Sequence, residues 1–217
     1  MKTIVFDLDG TLTNTLTDLM NSTNHALREC GMAERTYDEV RRFVGNGVHK
    51  LIERAVPEGT PEERIEECFA VFKAYYILHC QDTTTLYDGV ADMLRELKER
   101  GYKIAIVSNK LQAGVDELYN RWFHSTVDVA IGERRGIPRK PAADMVELAL
   151  SELGAQKSEA VYVGDSDVDL LTARNSGLPC VSVLWGFRDR DFLVANGATR
   201  LADKPADVVS IIDDIFK

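Results

Sequence analysis

Five short apolar runs, separated by segments of helical pattern, constrain the fold of this chain more than any other feature of its sequence. They are residues 4–6, 104–107, 127–131, 161–163 and 180–183. Several are rich in β-branched residues and lack clean apolar–polar alternation, as expected for strands buried on both faces of a parallel sheet. Their alternation with helices predicts an α/β fold, a doubly wound parallel sheet forming a Rossmann-like core.

Three helical patterns lie between the later runs. The first ends at Gly101, and the third begins near Ser166 and ends before Gly177. The second is predicted to begin near Pro141 and to stop at Gly154, because proline suits the first position of a helix and glycine its C-terminal cap. These segments supply the crossover helices that a parallel sheet requires.

Residues 14–84 depart from this alternation of strands and helices. The segment contains no convincing strand, and its apolar residues recur at helical spacing. We therefore predict two domains, with a helical cap domain of residues 14–84 inserted after the first strand. The remaining residues, 1–13 and 85–217, form the Rossmann-like core domain.

The balance of charge limits the possible partners. The chain has 35 acidic and 26 basic residues, a formal net charge of −9. Binding to a phosphate backbone needs a basic face, so we expect no nucleic-acid partner.

No apolar run approaches the roughly 20 residues of a membrane span, and the first run is too short for a signal peptide. We therefore predict a cytoplasmic protein with no membrane partner, whose four cysteines remain reduced.

Candidate functional residues follow the apolar runs, and ligands of a doubly wound sheet bind beyond the carboxyl ends of its strands. Asp7 and Asp9 follow the first run, and Gly10 and Thr11 form a turn predicted to expose backbone N–H groups. Two carboxylates so close resist joint ionisation unless a cation or a proton intervenes. The pair suits a nucleophile beside an acid/base, although an Asp-rich turn that caps a helix is an alternative.

Two further candidates carry donors for an anion. Ser108 and Asn109 follow the second run and can hold phosphate oxygens, although they are also ordinary loop residues. Lys140 lies in the basic segment 132–141, and its ammonium can act as a point charge for a phosphoryl oxygen. A solvated basic loop is the alternative for that segment.

Carboxylates follow the fourth run. Asp165 and Asp169 supply the hard oxygen ligands that Mg²⁺ requires, whereas Asp167 is interpreted as a charge at a helix N-terminus. Helix capping is again the alternative. Because all four groups of residues stand in order at predicted strand ends, their joint occurrence favours a functional site.

These four groups resemble the four motifs of the haloacid dehalogenase-like hydrolase superfamily. The motifs are Asp7-x-Asp9-Gly10-Thr11, Ser108-Asn109, Lys140-Pro141 and Gly164-Asp165-Ser166-x-x-Asp169. Four further segments, 43–47, 87–90, 108–110 and 185–187, resemble the phosphoglycolate phosphatase-like branch, whose helical cap follows the first motif. Ala142-Ala143 departs from relatives, which often carry another proline there.

The resemblance implies a magnesium-dependent phosphatase that works through an aspartyl-phosphate. Asp7 would be the nucleophile and Asp9 the acid/base. Ser108, Asn109 and Lys140 would hold the phosphoryl group, with Gly10 and Thr11 also at the substrate. Mg²⁺ would be bound by the Asp7 carboxylate, the Asp9 backbone carbonyl and Asp165, with Asp169 supporting its water shell.

The substrate is expected to be a small phosphorylated metabolite chosen by the cap. Gly45, Asn46 and Gly47 are the best candidate for a substrate-facing loop, although a plain turn before a helix fits nearly as well. A pyrophosphatase, a nucleotidase and a sugar-phosphate mutase remain alternatives on the same fold. A non-catalytic binding module is disfavoured because Asp7, Asp9 and Lys140 are all present. A monomer and a homodimer are both compatible with the sequence.

Overall fold

The computed structural model describes residues 2–217, which form two compact units. The first, here called the core unit, comprises the residues up to Thr13 together with Leu86–Lys217. The second, the helical unit, comprises Asn14–Thr85. Each unit is described separately below.

The described residues contain eight strands and ten α-helices. The strands are β1 (Thr3–Phe6), β2 (Thr13–Asn14), β3 (Thr85–Leu86), β4 (Lys103–Leu111), β5 (Val129–Glu133), β6 (Ala160–Gly164), β7 (Cys180–Val183) and β8 (Leu201–Ala202). The helices are α1 (Leu16–Glu29), α2 (Tyr37–Phe43), α3 (Val48–Ala55), α4 (Glu62–His79), α5 (Val90–Glu99), α6 (Gln112–Leu118), α7 (Asp144–Leu153), α8 (Asp167–Ser176), α9 (Arg190–Ala195) and α10 (Pro205–Ile215).

Six strands of the core unit form a parallel sheet in the order β5-β4-β1-β6-β7-β8. The strand β1 lies between β4 and β6, so the residues that follow it stand at the middle of one sheet edge. This architecture confirms the predicted α/β fold with a doubly wound parallel sheet. The strands β2 and β3, where the chain passes between the units, form a separate two-stranded sheet.

Both faces of the large sheet are buried, which explains why its strands lack alternation. Along β1, Ile4 and Phe6 belong to one hydrophobic cluster and Val5 to another. Apolar residues of α5 and α10 join the first cluster, and those of α7 join the second. Apolar side chains are therefore buried on both faces of β1, and its sequence shows no alternation of apolar and polar residues.

The helix predicted from Pro141 begins three residues later, at Asp144. The physical reason is that contacts outside the helix hold Lys140. Its side chain is buried, and its backbone carbonyl accepts a hydrogen bond from the Asn109 side chain at 3.0 Å. Residues 139–142 instead form a turn, closed by a hydrogen bond of 3.1 Å from the Ala142 N–H to the Arg139 carbonyl. The end at Gly154, which adopts a left-handed conformation, is as predicted.

The helical unit contains α1 to α4. Thr36 and Glu39 form a capping box at the start of α2. The buried carboxylate of Asp18, in the first turn of α1, accepts hydrogen bonds from the backbone N–H groups and hydroxyls of Thr83 and Thr84. These bonds join the beginning and the end of the unit. Within residues 2–217, no helix is both long and apolar enough to cross a lipid bilayer.

Candidate active site

The predicted site residues of the core unit stand at one edge of the sheet. Asp7 directly follows β1, and Asp165 directly follows β6. The segment 108–110 was predicted to follow a strand, but it belongs to the end of β4, beyond a register shift that lies between Val107 and Leu111. Because the three strands are parallel neighbours, their carboxyl ends bring these side chains together.

Asp7 and Lys140 form a buried ion pair at the centre of this edge. The Lys140 Nζ lies 2.7 Å from Asp7 Oδ1, which also accepts a hydrogen bond of 2.7 Å from the backbone N–H of Leu8. Burial raises the pKa of Asp7, and the Asp169 carboxylate raises it further, against the lowering effect of Lys140. Both contacts go to Oδ1, and Oδ2 takes part in neither of them.

The Lys140 ammonium also contacts Asp169 and Tyr162. Its Nζ lies 2.9 Å from Asp169 Oδ1 and donates to the Tyr162 hydroxyl at 3.0 Å. The Tyr162 hydroxyl in turn donates to Asp169 Oδ1 at 3.0 Å. Burial alone would lower the pKa of Lys140, but the Asp169 and Asp7 carboxylates raise it above its usual value. The ammonium is therefore charged at neutral pH.

The carboxylate of Asp169 also organises the start of α8. Its Oδ2 accepts from the backbone N–H groups of Asp165 and Ser166 and from the Ser166 hydroxyl. Burial would raise the pKa of Asp169, but the charge of Lys140 and the hydrogen bonds from the Ser166, Lys140 and Tyr162 side chains lower it overall. The capping role that was the alternative interpretation is thus present, and it coexists with the contact to Lys140.

Each carboxylate oxygen of Asp165 accepts a hydrogen bond. The Thr11 hydroxyl donates to Oδ1 at 3.0 Å, and the Phe187 backbone N–H donates to Oδ2 at 2.8 Å. Burial and the Asp169 carboxylate raise the pKa of Asp165 to about 7. In the folded chain this carboxyl therefore loses its proton only near neutral pH, unless a cation compensates its charge.

The donor set fits a magnesium ion. One carboxylate oxygen from each of Asp7, Asp165 and Asp169 lies within 4.8 Å of the others, and all three side chains are buried. Oxygen donors of this kind are those that Mg²⁺ prefers. Lys140 supplies one positive charge against three carboxylates, so a divalent cation would neutralise the remainder.

Asp9 pairs with a second buried lysine. The Lys110 Nζ lies 3.2 Å from Asp9 Oδ1, and the Lys110 side chain is 2% exposed. The hydroxyl of the buried Ser108 accepts a hydrogen bond from the Lys110 backbone N–H at 3.1 Å. Asn109 donates through its side-chain amide to the Lys140 carbonyl, which links β4 to the Lys140 segment.

The turn after Asp9 differs from the prediction. The Gly10 N–H donates to the Thr13 carbonyl at 2.8 Å, and the Thr11 N–H donates to the Leu8 carbonyl at 3.3 Å. The prediction that this turn exposes the N–H groups of Gly10 and Thr11 is therefore wrong, because the turn itself uses them. Gly10, at φ +90°, instead lies against Asp165, and a Cβ there would be 2.5 Å from its Oδ2.

Tyr162, Lys110 and the segment 185–187 also lie at this edge, although the sequence alone assigned them no function. Tyr162 lies inside a strand run, and only its hydroxyl distinguishes it from an apolar strand residue. Lys110 belongs to the segment 108–110, and the resemblance implies no role for it. In the segment 185–187, Trp185 Nε1 donates to the Thr11 carbonyl at 2.9 Å, and the Phe187 backbone N–H donates to Asp165.

The predicted substrate-facing loop belongs to the helical unit. Gly45 and Gly47 have φ of +117° and +83°, and Gly47 precedes α3. The Asn46 side-chain oxygen accepts a hydrogen bond from Arg54 at 2.8 Å. The loop therefore has a defined conformation within its own unit.

The helical unit also contains a second group of potential metal ligands, His49, Glu62 and Glu66. Its two glutamates are exposed, and His49 Nε2 already contacts Glu66 Oε1 at 2.6 Å. Exposed acidic residues of this kind are common without a metal, so we assign none to the group.

Comparison with known proteins agrees with this architecture. The sequence model of the haloacid dehalogenase-like hydrolases matches residues 4–183. Phosphoglycolate phosphatase of Aquifex aeolicus is 29% identical over 217 residues, 99% of this chain and 98% of that protein. Pyrophosphatase PpaX of Bacillus cereus strain AH820 is 28% identical over 218 residues, with 99% and 98% covered. The crystal structure of a candidate phosphoglycolate phosphatase from Lactobacillus delbrueckii subsp. bulgaricus superimposes with a TM-score of 0.93 at 33% identity, covering 97% of this chain and 98% of that one.

The parallel sheet and the family match together define the class of protein as a hydrolytic enzyme. The chain belongs to the haloacid dehalogenase-like hydrolases. Within that family it is similar to the phosphoglycolate phosphatase-like branch, as its motifs predicted. It is accordingly a phosphatase-type enzyme, and the predicted family and enzyme class are confirmed.

Proposed function

We propose that this chain is a magnesium-dependent phosphatase that hydrolyses small phosphate monoesters through an aspartyl-phosphate on Asp7. The observation that carries the proposal is the fixed orientation of the Asp7 carboxylate. Its Oδ1 is fixed by Lys140 and by the Leu8 N–H, at the end of the strand β1, while Oδ2 remains for attack. A carboxylate held in one orientation is suited to nucleophilic catalysis.

The proposed reaction has two steps. Asp7 Oδ2 attacks the phosphorus atom, the bond between phosphorus and the ester oxygen breaks, and the Asp9 carboxyl gives its proton to the leaving alcohol. Asp9 then takes a proton from a water molecule that attacks the aspartyl-phosphate. The bond between phosphorus and Asp7 breaks, releasing inorganic phosphate and restoring the free carboxylate.

Charge compensation is proposed to come from a metal and one lysine. Asp7, Asp165 and the Asp9 backbone carbonyl would hold Mg²⁺, with Asp169 supporting its water shell. When bound, the ion would supply positive charge that neutralises the phosphoryl oxygens and the clustered carboxylates. Lys140, which is buried and charged, would contact a phosphoryl oxygen from its position beside Asp7.

The remaining predicted site residues receive separate roles. Ser108 and Asn109 are proposed to hold the phosphoryl oxygens. Gly10 and Thr11 are proposed to act by forming the turn that supports Asp165, since their N–H groups are engaged within it. We propose that Gly45, Asn46 and Gly47 of the helical unit contribute to the choice of substrate.

Phosphoglycolate is the first candidate substrate, because proteins of that name align with nearly the whole chain. Inorganic pyrophosphate is the second, because PpaX pyrophosphatase aligns over the same length at almost the same identity. Nucleoside monophosphates and a mutase reaction on sugar phosphates remain further alternatives on this fold. Parallel assays of the first two compounds with Mg²⁺ distinguish the leading candidates.

The role of Asp7 is tested by the substitution Asp7→Asn. An amide is a poor nucleophile, so we expect turnover of p-nitrophenyl phosphate and of phosphoglycolate to fall by at least about 10³-fold. Acid-quenched wild type should yield a hydroxylamine-sensitive acyl-phosphate that the variant lacks. A chelator should also stop the wild-type reaction.

Asp203→Asn is the matched control for this experiment. Asp203 is an exposed carboxylate paired with Arg190, so its variant should retain wild-type turnover. Near-normal turnover in Asp7→Asn, or full activity in the presence of the chelator, would contradict the proposal.

A further inference from the structure

Lys110 is a buried lysine whose function the proposed reaction does not yet include. Its ammonium lies 3.2 Å from Asp9 Oδ1, in an ion pair whose side chains are 2% and 19% exposed. Burying a long charged side chain is costly unless its ammonium is paired. The contact with Asp9 offsets part of this cost.

The side chain of Lys110 packs closely against a glycine. Gly114 lies in α6, the helix that directly follows β4. A Cβ atom on Gly114 would stand 3.1 Å from Lys110 Cε and 3.5 Å from both Cδ and Cγ. The aliphatic part of Lys110 therefore packs close to position 114, and an alanine there would push Lys110 Cε away by a few tenths of an ångström.

The contact constrains the orientation of the Asp9 carboxyl group. A free carboxyl group rotates about its terminal torsion, which has broad minima. An ammonium on Oδ1 restricts that rotation and leaves Oδ2 to carry and transfer the proton. Proton transfer in a transition state depends on such positioning within hydrogen-bonding distance.

We propose that Lys110, seated against Gly114, is a positioning residue that orients the Asp9 carboxyl for protonation of the leaving alcohol. This inference rests on the proposed phosphatase function. It predicts that loss of the Lys110 ammonium slows hydrolysis most for esters whose leaving group must be protonated. A general structural role for Lys110 would predict the same loss for every ester. Alkyl alcohols leave poorly without protonation, whereas p-nitrophenol leaves readily.

The test compares kcat/KM for 2-phosphoglycolate and for p-nitrophenyl phosphate. This ratio reports the steps up to alcohol release and excludes the later hydrolysis of the aspartyl-phosphate, which both substrates share. Lys110→Met removes the ammonium and keeps the aliphatic chain. We expect it to lower kcat/KM about 100-fold for the alkyl ester and less than about fivefold for the aryl ester.

Gly114→Ala tests the same contact without touching a charged group. The added methyl group should displace the Lys110 side chain and lower kcat/KM for the alkyl ester about tenfold, again with a smaller effect on the aryl ester. Alanine favours a helix more than glycine does, so this variant should fold even if Lys110→Met does not. Lys157→Met is the matched control, because it breaks an exposed pair with Glu147 and should leave both ratios within about twofold.

The outcomes separate the two proposals. An equal loss for both esters in the two variants, or no loss for either, would overturn the role of Lys110 while wild-type turnover leaves the phosphatase function intact. Wild type that hydrolyses neither ester in the presence of Mg²⁺ would overturn both.

Discussion

Individual buried charges in the core unit are balanced by a small set of polar neighbours. Asp169 is fully buried, yet it accepts hydrogen bonds from Ser166, Asp165 and Tyr162 and contacts Lys140. This many donors can offset the cost of removing a carboxylate from water. Asp7 and Asp165 have fewer compensating contacts, and their pKa values are accordingly raised.

Removal of the Tyr162 hydroxyl should weaken the position of Lys140. In Tyr162→Phe, the Lys140 ammonium loses one acceptor and Asp169 loses one donor. We expect kcat to fall by about threefold to tenfold and the free energy of unfolding to fall by about 1–3 kcal/mol. Steady-state kinetics and denaturant unfolding measure these two quantities.

Tyr119→Phe provides a matched control for this substitution. The Tyr119 hydroxyl donates to the Val127 carbonyl at 3.2 Å, in a part of the core unit without site residues. The control should lose about 1 kcal/mol of stability and no activity. Equal kinetics in wild type and Tyr162→Phe would show that the hydroxyl does not position Lys140.

Secondary structure elements were predicted from the sequence where their patterns are local. The runs of β-branched residues located β1, β4, β5, β6 and β7, and Gly154 marked the end of α7. The short strand β8, of two residues, carries too little pattern to be detected. The contacts of Lys110 with Asp9 and of Tyr162 with Lys140 join residues 101 and 22 positions apart, which no local pattern encodes.

The loop after β7 supports the site through close backbone approach. A Cβ on Gly186 would stand 2.3 Å from Asp165 Cβ and 2.5 Å from the Gly10 carbonyl oxygen. Gly186 is not among the glycines of positive φ, so space rather than backbone conformation requires glycine there. The loop can therefore lie this close to Asp165 only if residue 186 has no side chain.

Gly186→Ala should disrupt this element. The methyl group cannot be accommodated without moving Asp165 or the turn at Gly10, and such overpacking typically costs about 1–3 kcal/mol. Because Asp165 is a proposed metal ligand, we expect the apparent affinity for Mg²⁺ in the activity assay to fall by at least about tenfold. Titration of activity against Mg²⁺ concentration checks this.

Gly101→Ala separates the effect on the site from a general loss of stability. Gly101 has a φ of +83° and nothing within 4 Å of an added Cβ, so alanine there strains the backbone without a clash. This control should lose stability but keep the wild-type dependence on Mg²⁺. If activity depended on Mg²⁺ concentration in the same way in Gly186→Ala and in wild type, the supporting role of the loop would be contradicted.

The distribution of tryptophan allows the core unit to be observed selectively in the whole molecule. The chain has two tryptophans. Trp122 and Trp185 both lie in the core unit, whereas the helical unit has none. Tryptophan fluorescence during thermal unfolding therefore follows the unit that carries the carboxylate cluster, whether or not the two units unfold together.

The stability of the metal-free core unit should decrease as the pH rises from 5 to 8. The pKa of Asp165 is raised from 3.8 to about 7, so the folded state binds its proton more tightly than the unfolded state does. The resulting stability is complete below the unfolded pKa and is lost as the pH rises through the folded pKa. Asp7 acts in the same direction, whereas the lowered pKa of Asp169 changes stability only at pH values below 3.8. The loss for Asp165 is on the order of 3 kcal/mol.

Magnesium should reverse this loss, because a cation bound to the folded carboxylates replaces the protons that they lose. With a chelator present, we expect the fluorescence midpoint to fall between pH 5 and pH 8, and millimolar Mg²⁺ should raise it more at pH 8 than at pH 5. Asp165→Asn should flatten the pH dependence and reduce the effect of the metal. A midpoint in wild type that is independent of pH, or that Mg²⁺ raises equally at both pH values, would contradict the view that proton and metal compete for one buried cluster.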